Sequence, residues 1–156
     1  MKKALLSLFL LPLIFSSVKA QEKSESRIHA FGTYGLRTDQ FGFGGGLEYF
    51  FAEKFALMPS FTRLSPKVGN ATNFSFDLRY YLTEGVSQVF VLAGYSQTFE
   101  NTQPGTPGTR RNLVGGNVGV GAYIRMTDWV GLISEFRSQS QGNREGNLKF
   151  GLAFPL

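Results

Sequence analysis

From Arg27 onward, apolar and polar positions alternate with a period of two almost to the last residue, and no long stretch repeats at the helical period. In the first segment Ile28, Ala30, Gly32, Tyr34 and Leu36 share a face, opposed by Arg27, His29, Thr33 and Arg37. The second sets Phe41, Phe43, Gly45, Leu47, Tyr49 and Phe51 against Gly42, Gly44, Gly46 and Glu48. The third, Phe55, Leu57, Pro59 and Phe61 against Ala56, Met58, Ser60 and Thr62, is less regular. In the fourth, Phe74, Phe76, Leu78, Tyr80 and Leu82 alternate with Ser75, Asp77, Arg79 and Tyr81. The fifth, Val89, Val91, Ala93 and Tyr95 against Phe90, Leu92, Gly94 and Ser96, has two apolar faces, so its facing stays open. The sixth runs Val114 to Arg125, with Val118, Val120 and Ile124 opposed by Asn117, Gly119, Gly121 and Tyr123. In the seventh Val130, Leu132, Ser134 and Phe136 oppose Gly131, Ile133, Glu135 and Arg137. The eighth sets Leu148, Phe150, Leu152, Phe154 and Leu156 against Lys149, Gly151, Ala153 and Pro155.

Tilted strands of about ten residues cross a bilayer, and eight is the smallest usual number in an outer-membrane barrel. The links after the second, fourth and sixth segments are tight: Ala52 to Lys54, Thr83 to Ser87 and Met126 to Asp128. Longer stretches, SPKVGNATN, ENTQPGTPGTRRN and SQSQGNREGN, follow the third, fifth and seventh, whereas only TDQ follows the first. Short turns at one end and longer loops at the other match the periplasmic and extracellular ends of such a barrel, with the amino-terminal end periplasmic. A soluble barrel also alternates, but it turns its polar face to water. The apolar faces of the eight segments carry no Asp, Glu, Lys or Arg, while the opposite faces hold Glu48, Asp77, Arg79, Arg125, Glu135, Arg137 and Lys149 among glycines and serines. That distribution puts lipid on the apolar side. The expected fold is all-β: an eight-stranded antiparallel up-and-down transmembrane β-barrel.

The first 20 residues read differently. Lys2 and Lys3 precede a 12-residue apolar run, Ala4 to Phe15, and SSVKA closes it with Val18 and Ala20 at the recognition spacing of a cleavable signal peptide. A permanent helical anchor needs about 20 apolar residues. The expected division is a signal peptide at 1–20, a periplasmic leader at 21–26 and a barrel at 27–156. No cysteine is available for a lipid anchor or a disulfide. The net charge of +5 overstates the basicity, because loss of Lys2, Lys3 and Lys19 leaves 13 basic residues against 11 acidic. Such a balance excludes nucleic-acid binding as a leading function. Charged residues make up 17% of the chain, below the roughly 25% of soluble domains, alongside 16 Phe and 19 Gly.

On its strand pattern, the turn stretches LEYFFAEKFAL and IRMTDWVGL and the alternating end LKFGLAFPL, the chain from Arg27 to Leu156 resembles the small eight-stranded outer-membrane β-barrels of the OmpX and OmpA-transmembrane-domain type, within the porin-family grouping. The resemblance implies a bacterial outer-membrane location. It also implies that the terminal strand is read by the barrel-insertion machinery; many members end in Phe where this chain has Leu156. No peptidoglycan-binding domain is expected after the barrel.

Eight strands enclose a space that side chains fill. With alternate strands running up and down, His29, Glu48, Arg79, Tyr81, Tyr123 and Arg125 are expected in the periplasmic half of the lumen, with Asp77, Glu135, Arg137 and Lys149 higher. Buried charges need partners, so two ion-pair clusters are expected in place of an open pore. Gly42, Gly44 and Gly46, with Gly119 and Gly121, are expected to leave room for long charged residues reaching across from the fourth, sixth and seventh segments. GFGGG, Gly42 to Gly46 with its aromatic neighbour, lacks the Lys-Ser/Thr ending and the helix of a phosphate loop. His29 is followed by Ala30 and Phe31, not by the His-x-Ser pattern of lipid-modifying outer-membrane hydrolases. No residue is assigned a catalytic, cofactor-binding or metal-ligating role. Lys67, Arg110, Arg111 and Arg144 have two readings, contacts to lipopolysaccharide phosphates or solvated loop charges. The leading functional class is a non-enzymatic integral outer-membrane protein that supports the envelope or presents loops for binding. A narrow solute route and a lipid-acting enzyme are the alternatives.

Overall fold

The computed structural model describes residues 26–103, 109–142 and 144–156; the expected signal peptide and residues 21–25 of the leader lie outside them. Eight strands follow in chain order: β1 Ser26–Gly35, β2 Gln40–Ala52, β3 Phe55–Ser65, β4 Asn70–Tyr81, β5 Ser87–Asn101, β6 Arg110–Arg125, β7 Gly131–Gln139 and β8 Glu145–Pro155. Each pairs antiparallel with the next, and β1 pairs with β8 to close the barrel. Closure removes the exposed ladder edges that a sheet otherwise presents. At the seam Ile28 faces Phe154 and Thr33 faces Lys149, while the Leu156 amide donates to the Ser26 carbonyl at 2.9 Å.

The period-two pattern becomes two faces with opposite chemistry. Phe41, Phe43, Leu47, Phe61, Phe74, Val118, Val120 and Phe150 are among the large apolar side chains standing outward and exposed. A continuous apolar exterior of this kind suits lipid and would aggregate in water. The open facing of β5 resolves with Val89, Val91, Ala93 and Tyr95 outward and Phe90 and Leu92 buried. Phe90 turns inward because Gly121 on β6 vacates its site: a Cβ there would collide with the Phe90 ring. The ring packs on Tyr81 with centroids 5.2 Å apart. Val130 departs from its expected outward place. It is buried in the turn before β7, where its carbonyl accepts from Met126 and Thr127.

Strand ends depart more than strand centres. Asn101 pairs with Arg110, and Ala71 with Leu64, so much of the loop-like sequence after Tyr95 and Thr62 is strand. The alternation of apolar and polar positions weakens toward the loop end, but the strand pairing continues, and there Gln97 donates to Asn112 at 3.0 Å.

The inward glycines also act differently from the expectation. A Cβ on Gly44 would collide with the Phe61 carbonyl and lie 2.9 Å from Thr62 Cα; one on Gly46 would lie 2.6 Å from Met58 Cε. The space at Gly44 belongs to the close approach of the β3 backbone, and at Gly46 to a neighbouring lumen side chain. Cross-lumen charges do not fill either place.

Candidate functional site

The inner wall carries a band of ionisable groups, layered between aromatics below and neutral amides and hydroxyls above. Lowest is Arg27 on β1. Its guanidinium lies over Tyr123 at 4.0 Å and Phe50 at 4.7 Å, with Glu48 3.8 Å away. A cation held against aromatic faces is stabilised by the ring quadrupoles, and these rings lie at the short-turn end of the lumen.

Glu48, on β2, is fully buried and surrounded by donors. The Tyr81 hydroxyl donates to it at 2.6 Å and Arg79 Nη1 at 2.9 Å, and His29 Nε2 lies 3.1 Å from its second oxygen. Arg79 Nη2 continues to Glu135 on β7 at 2.6 Å. From β7, Arg137 runs the other way: Nε donates to Glu135 at 2.6 Å and Nη2 to Asp77 on β4 at 2.8 Å. Lys149 completes the group, 3.7 Å from Glu135 and 4.0 Å from the Phe31 ring centroid. Arg79 and Arg137 thus cross the lumen in opposite directions between β4 and β7. Each buried charge would cost several kcal/mol unpaired, and each guanidinium bridges two carboxylates through different nitrogens.

Above the charges the contacts turn neutral. Asn117 donates to Asp77 at 2.9 Å and accepts from Ser96 at 2.7 Å; Gln141 donates to Ser96 at 2.7 Å and accepts from Thr98 at 2.6 Å. Asn73 donates to Thr98 at 2.6 Å. A chain of direct contacts therefore runs from Glu48 to the mouth.

The structure brings Glu48, Asp77, Arg79, Glu135, Arg137 and Lys149 together in this lumen. Arg125 is a correction. It shares the inward register of Tyr123 but stands exposed at the last position of β6, opposite the first residue of β7, where the barrel wall no longer surrounds it. The two expected clusters are also corrected to one, because the two terminal nitrogens of Arg79 join Glu48 to Glu135. Sequence reasoning left Arg27 and Asn117 out of the site, although both lie on inward registers that the alternation marks. His29 lies deep in the lumen against Glu48, out of reach of a lipid outside the barrel.

At the loop end Lys67 is exposed, 3.7 Å from Asp39. Arg110 and Arg111 are exposed on adjacent positions of β6; Arg110 falls on the outward register opposite Asn101, and Arg111 on the inward register opposite Glu100. Arg144 is exposed before β8. Arg63, not singled out from sequence, is an exposed cation on the outward register of β3, opposite Phe43.

Neither a protein-family model nor a curated protein matches the sequence. Solved structures do. The chain is similar to the N-terminal β-barrel domain of Pseudomonas aeruginosa OprF, with a TM-score of 0.76 at 21% identity over 87% of this chain and all of that one. Neisserial surface protein A gives 0.62 at 15% identity over 83% of this chain and 94% of that one. Ail, the attachment invasion locus protein of Yersinia pestis, gives 0.61 at 14% identity over 86% of this chain and all of that one. The fold is that of the small eight-stranded outer-membrane β-barrels.

Proposed function

We propose that this chain is a non-enzymatic integral outer-membrane protein whose barrel is closed to solutes, serving envelope structure and presenting its loops for binding. The observation that carries this reading is the pair of arginines, Arg79 and Arg137, bridging β4 and β7 through Glu135, with Glu48 and Asp77 at the far ends. Ions crossing the barrel would have to displace contacts of 2.6 to 2.9 Å within a low-dielectric wall. Purified protein in planar bilayers is expected to show no steady channel beyond small flickering currents. A stable porin-sized conductance from the single barrel would overturn the closed-lumen account.

Contact with lipopolysaccharide phosphates is the second part of the reading, favoured by Arg63. Arg63 is an exposed cation on the outward register opposite Phe43, and an outward guanidinium with a long apolar stem is the kind of group that reaches lipid phosphates. Lys67, Arg110 and Arg144 extend this basic rim; Arg111 is directed to the mouth instead. Lipopolysaccharide retained through purification is expected to fall in the Arg63→Gln, Arg110→Gln double variant, and unchanged retention would remove this part of the proposal.

A further inference from the structure

Inside the loop end, above the Thr98–Gln141 contact, lies a cavity of about 340 Å³. Its size is at the small end of ligand pockets, which run from about 300 to 1,000 Å³. Most such pockets are apolar. This one has Leu64 and Leu113 as its large apolar side chains and otherwise presents amides, hydroxyls and charges.

The charges balance. Arg37 and Arg111 face the cavity together with Glu100 and Glu145, so its formal charges cancel and favour neither a polyanion nor a polycation. The neutral groups, including Gln40, Gln139 and Asn147, offer both donors and acceptors. A ligand rich in hydroxyls, each able to donate and accept, matches that mixture; an apolar ligand would leave these groups unpaired.

The walls are also pre-ordered. Glu145 Oε1 accepts from the Arg37 amide at 3.0 Å and from the Thr38 amide and hydroxyl, each at 3.3 Å, which ties the β1–β2 turn to β8. Below, Gln141 is held at both ends of its amide by Ser96 and Thr98. Polar groups fixed before binding lose little entropy when a ligand arrives.

We infer that this mouth is a binding site for a small neutral sugar, mono- or disaccharide in size, gripped by Gln40, Arg111 and Glu100 over a floor of Gln141 and Asn147. The inference rests on the outward-loop reading above for its biological side. The binding itself is tested on purified protein, so failure to bind and failure to insert in the outer membrane are read separately.

The test is calorimetric titration of the folded barrel in detergent with glucose, galactose, N-acetylglucosamine, maltose and lactose, and with glycine and inorganic sulfate as charged probes. Saturable binding of at least one sugar is expected. Gln40→Ala and Arg111→Ala should each weaken it about tenfold, the effect of losing one good hydrogen bond, while Lys54→Ala, beside Glu84 at the opposite end of the barrel, leaves it unchanged. Both positions lie at the mouth, away from the buried charge network, and the gel shift of unheated protein verifies folding of each variant. Absence of saturable sugar binding would overturn the inference. So would sugar binding indifferent to both cavity variants, or glycine or sulfate binding more tightly than every sugar.

Discussion

Three cations converge on Glu135: Arg79 and Arg137 through hydrogen bonds and Lys149 at 3.7 Å. Glu135→Gln keeps the shape of the side chain but removes the charge that Arg79 and Arg137 both meet, leaving guanidinium groups buried without full compensation. Breaking a buried pair in this way costs about 3 to 5 kcal/mol. Denaturant unfolding in lipid vesicles is expected to show that loss for Glu135→Gln, whereas Lys67→Gln, an exposed charge near Asp39, should stay within about 0.5 kcal/mol of the parent. Equal stability of the two variants would mean that the lumen charges are solvated. Outside β5 and the turn residue Val130, which residues face inward was legible in the alternation, because the period of two assigns each position to one side. Who meets whom was not. Asp77 and Arg137 are 60 positions apart, and their meeting depends on barrel closure and strand stagger, which no local pattern encodes. Arg125 shows the same limit, since its register is inward but the wall ends beside it.

Facing can be tested on two strands with one assay. On β2, Gly44 is inward against the Phe61 carbonyl, while Phe43 is outward and exposed. On β6, Val120 is outward with 52% of its surface exposed. Gly44→Trp places a large ring where even a Cβ collides, so folding yield into lipid vesicles is expected to drop sharply. Phe43→Leu exchanges one lipid-facing apolar side chain for another and should be nearly silent. Val120→Arg puts a cation in the apolar band, at a cost of about 2 to 4 kcal/mol if it lies near the midplane. Normal folding of Gly44→Trp together with failure of Phe43→Leu would invert the facing of β2. The strand centres were readable because lipid demands an apolar side chain at every second position. Their loop-side ends were not, because above the lipid either loop or strand accepts Gln97, Asn112 and Arg110, and pairing decides between them. For β5 both faces were apolar at Phe90 and Leu92, and the deciding feature, the vacancy at Gly121, lies on another strand.

At the scale of the whole molecule, closure makes the strands interdependent. Removing any one of them leaves two ladders open, and the seam between β1 and β8 is held from Arg27–Pro155 at one end to Gly35–Asn147 at the other. Within lipid no water is available to satisfy an opened ladder, so local fraying is disfavoured and the barrel should open as a unit. The crossing pairs of the lumen strengthen this coupling, because Arg79 and Arg137 tie β4 to β7 on the far side of the barrel. Dodecyl sulfate at room temperature is therefore expected to leave the barrel folded, whereas boiling unfolds it. Unheated and boiled samples should migrate at different positions on a denaturing gel, with the shifted band found in the outer-membrane fraction. The measurement separates two accounts of the same alternation. A soluble barrel with its apolar surface buried by self-association would be recovered in the periplasmic fraction, and that result would reject lipid as the solvent of Phe43, Phe61, Val120 and their neighbours. A membrane-inserted chain without the heat-dependent shift would reject instead the closed, interlocked barrel, by showing that its β1–β8 seam opens in detergent without heat.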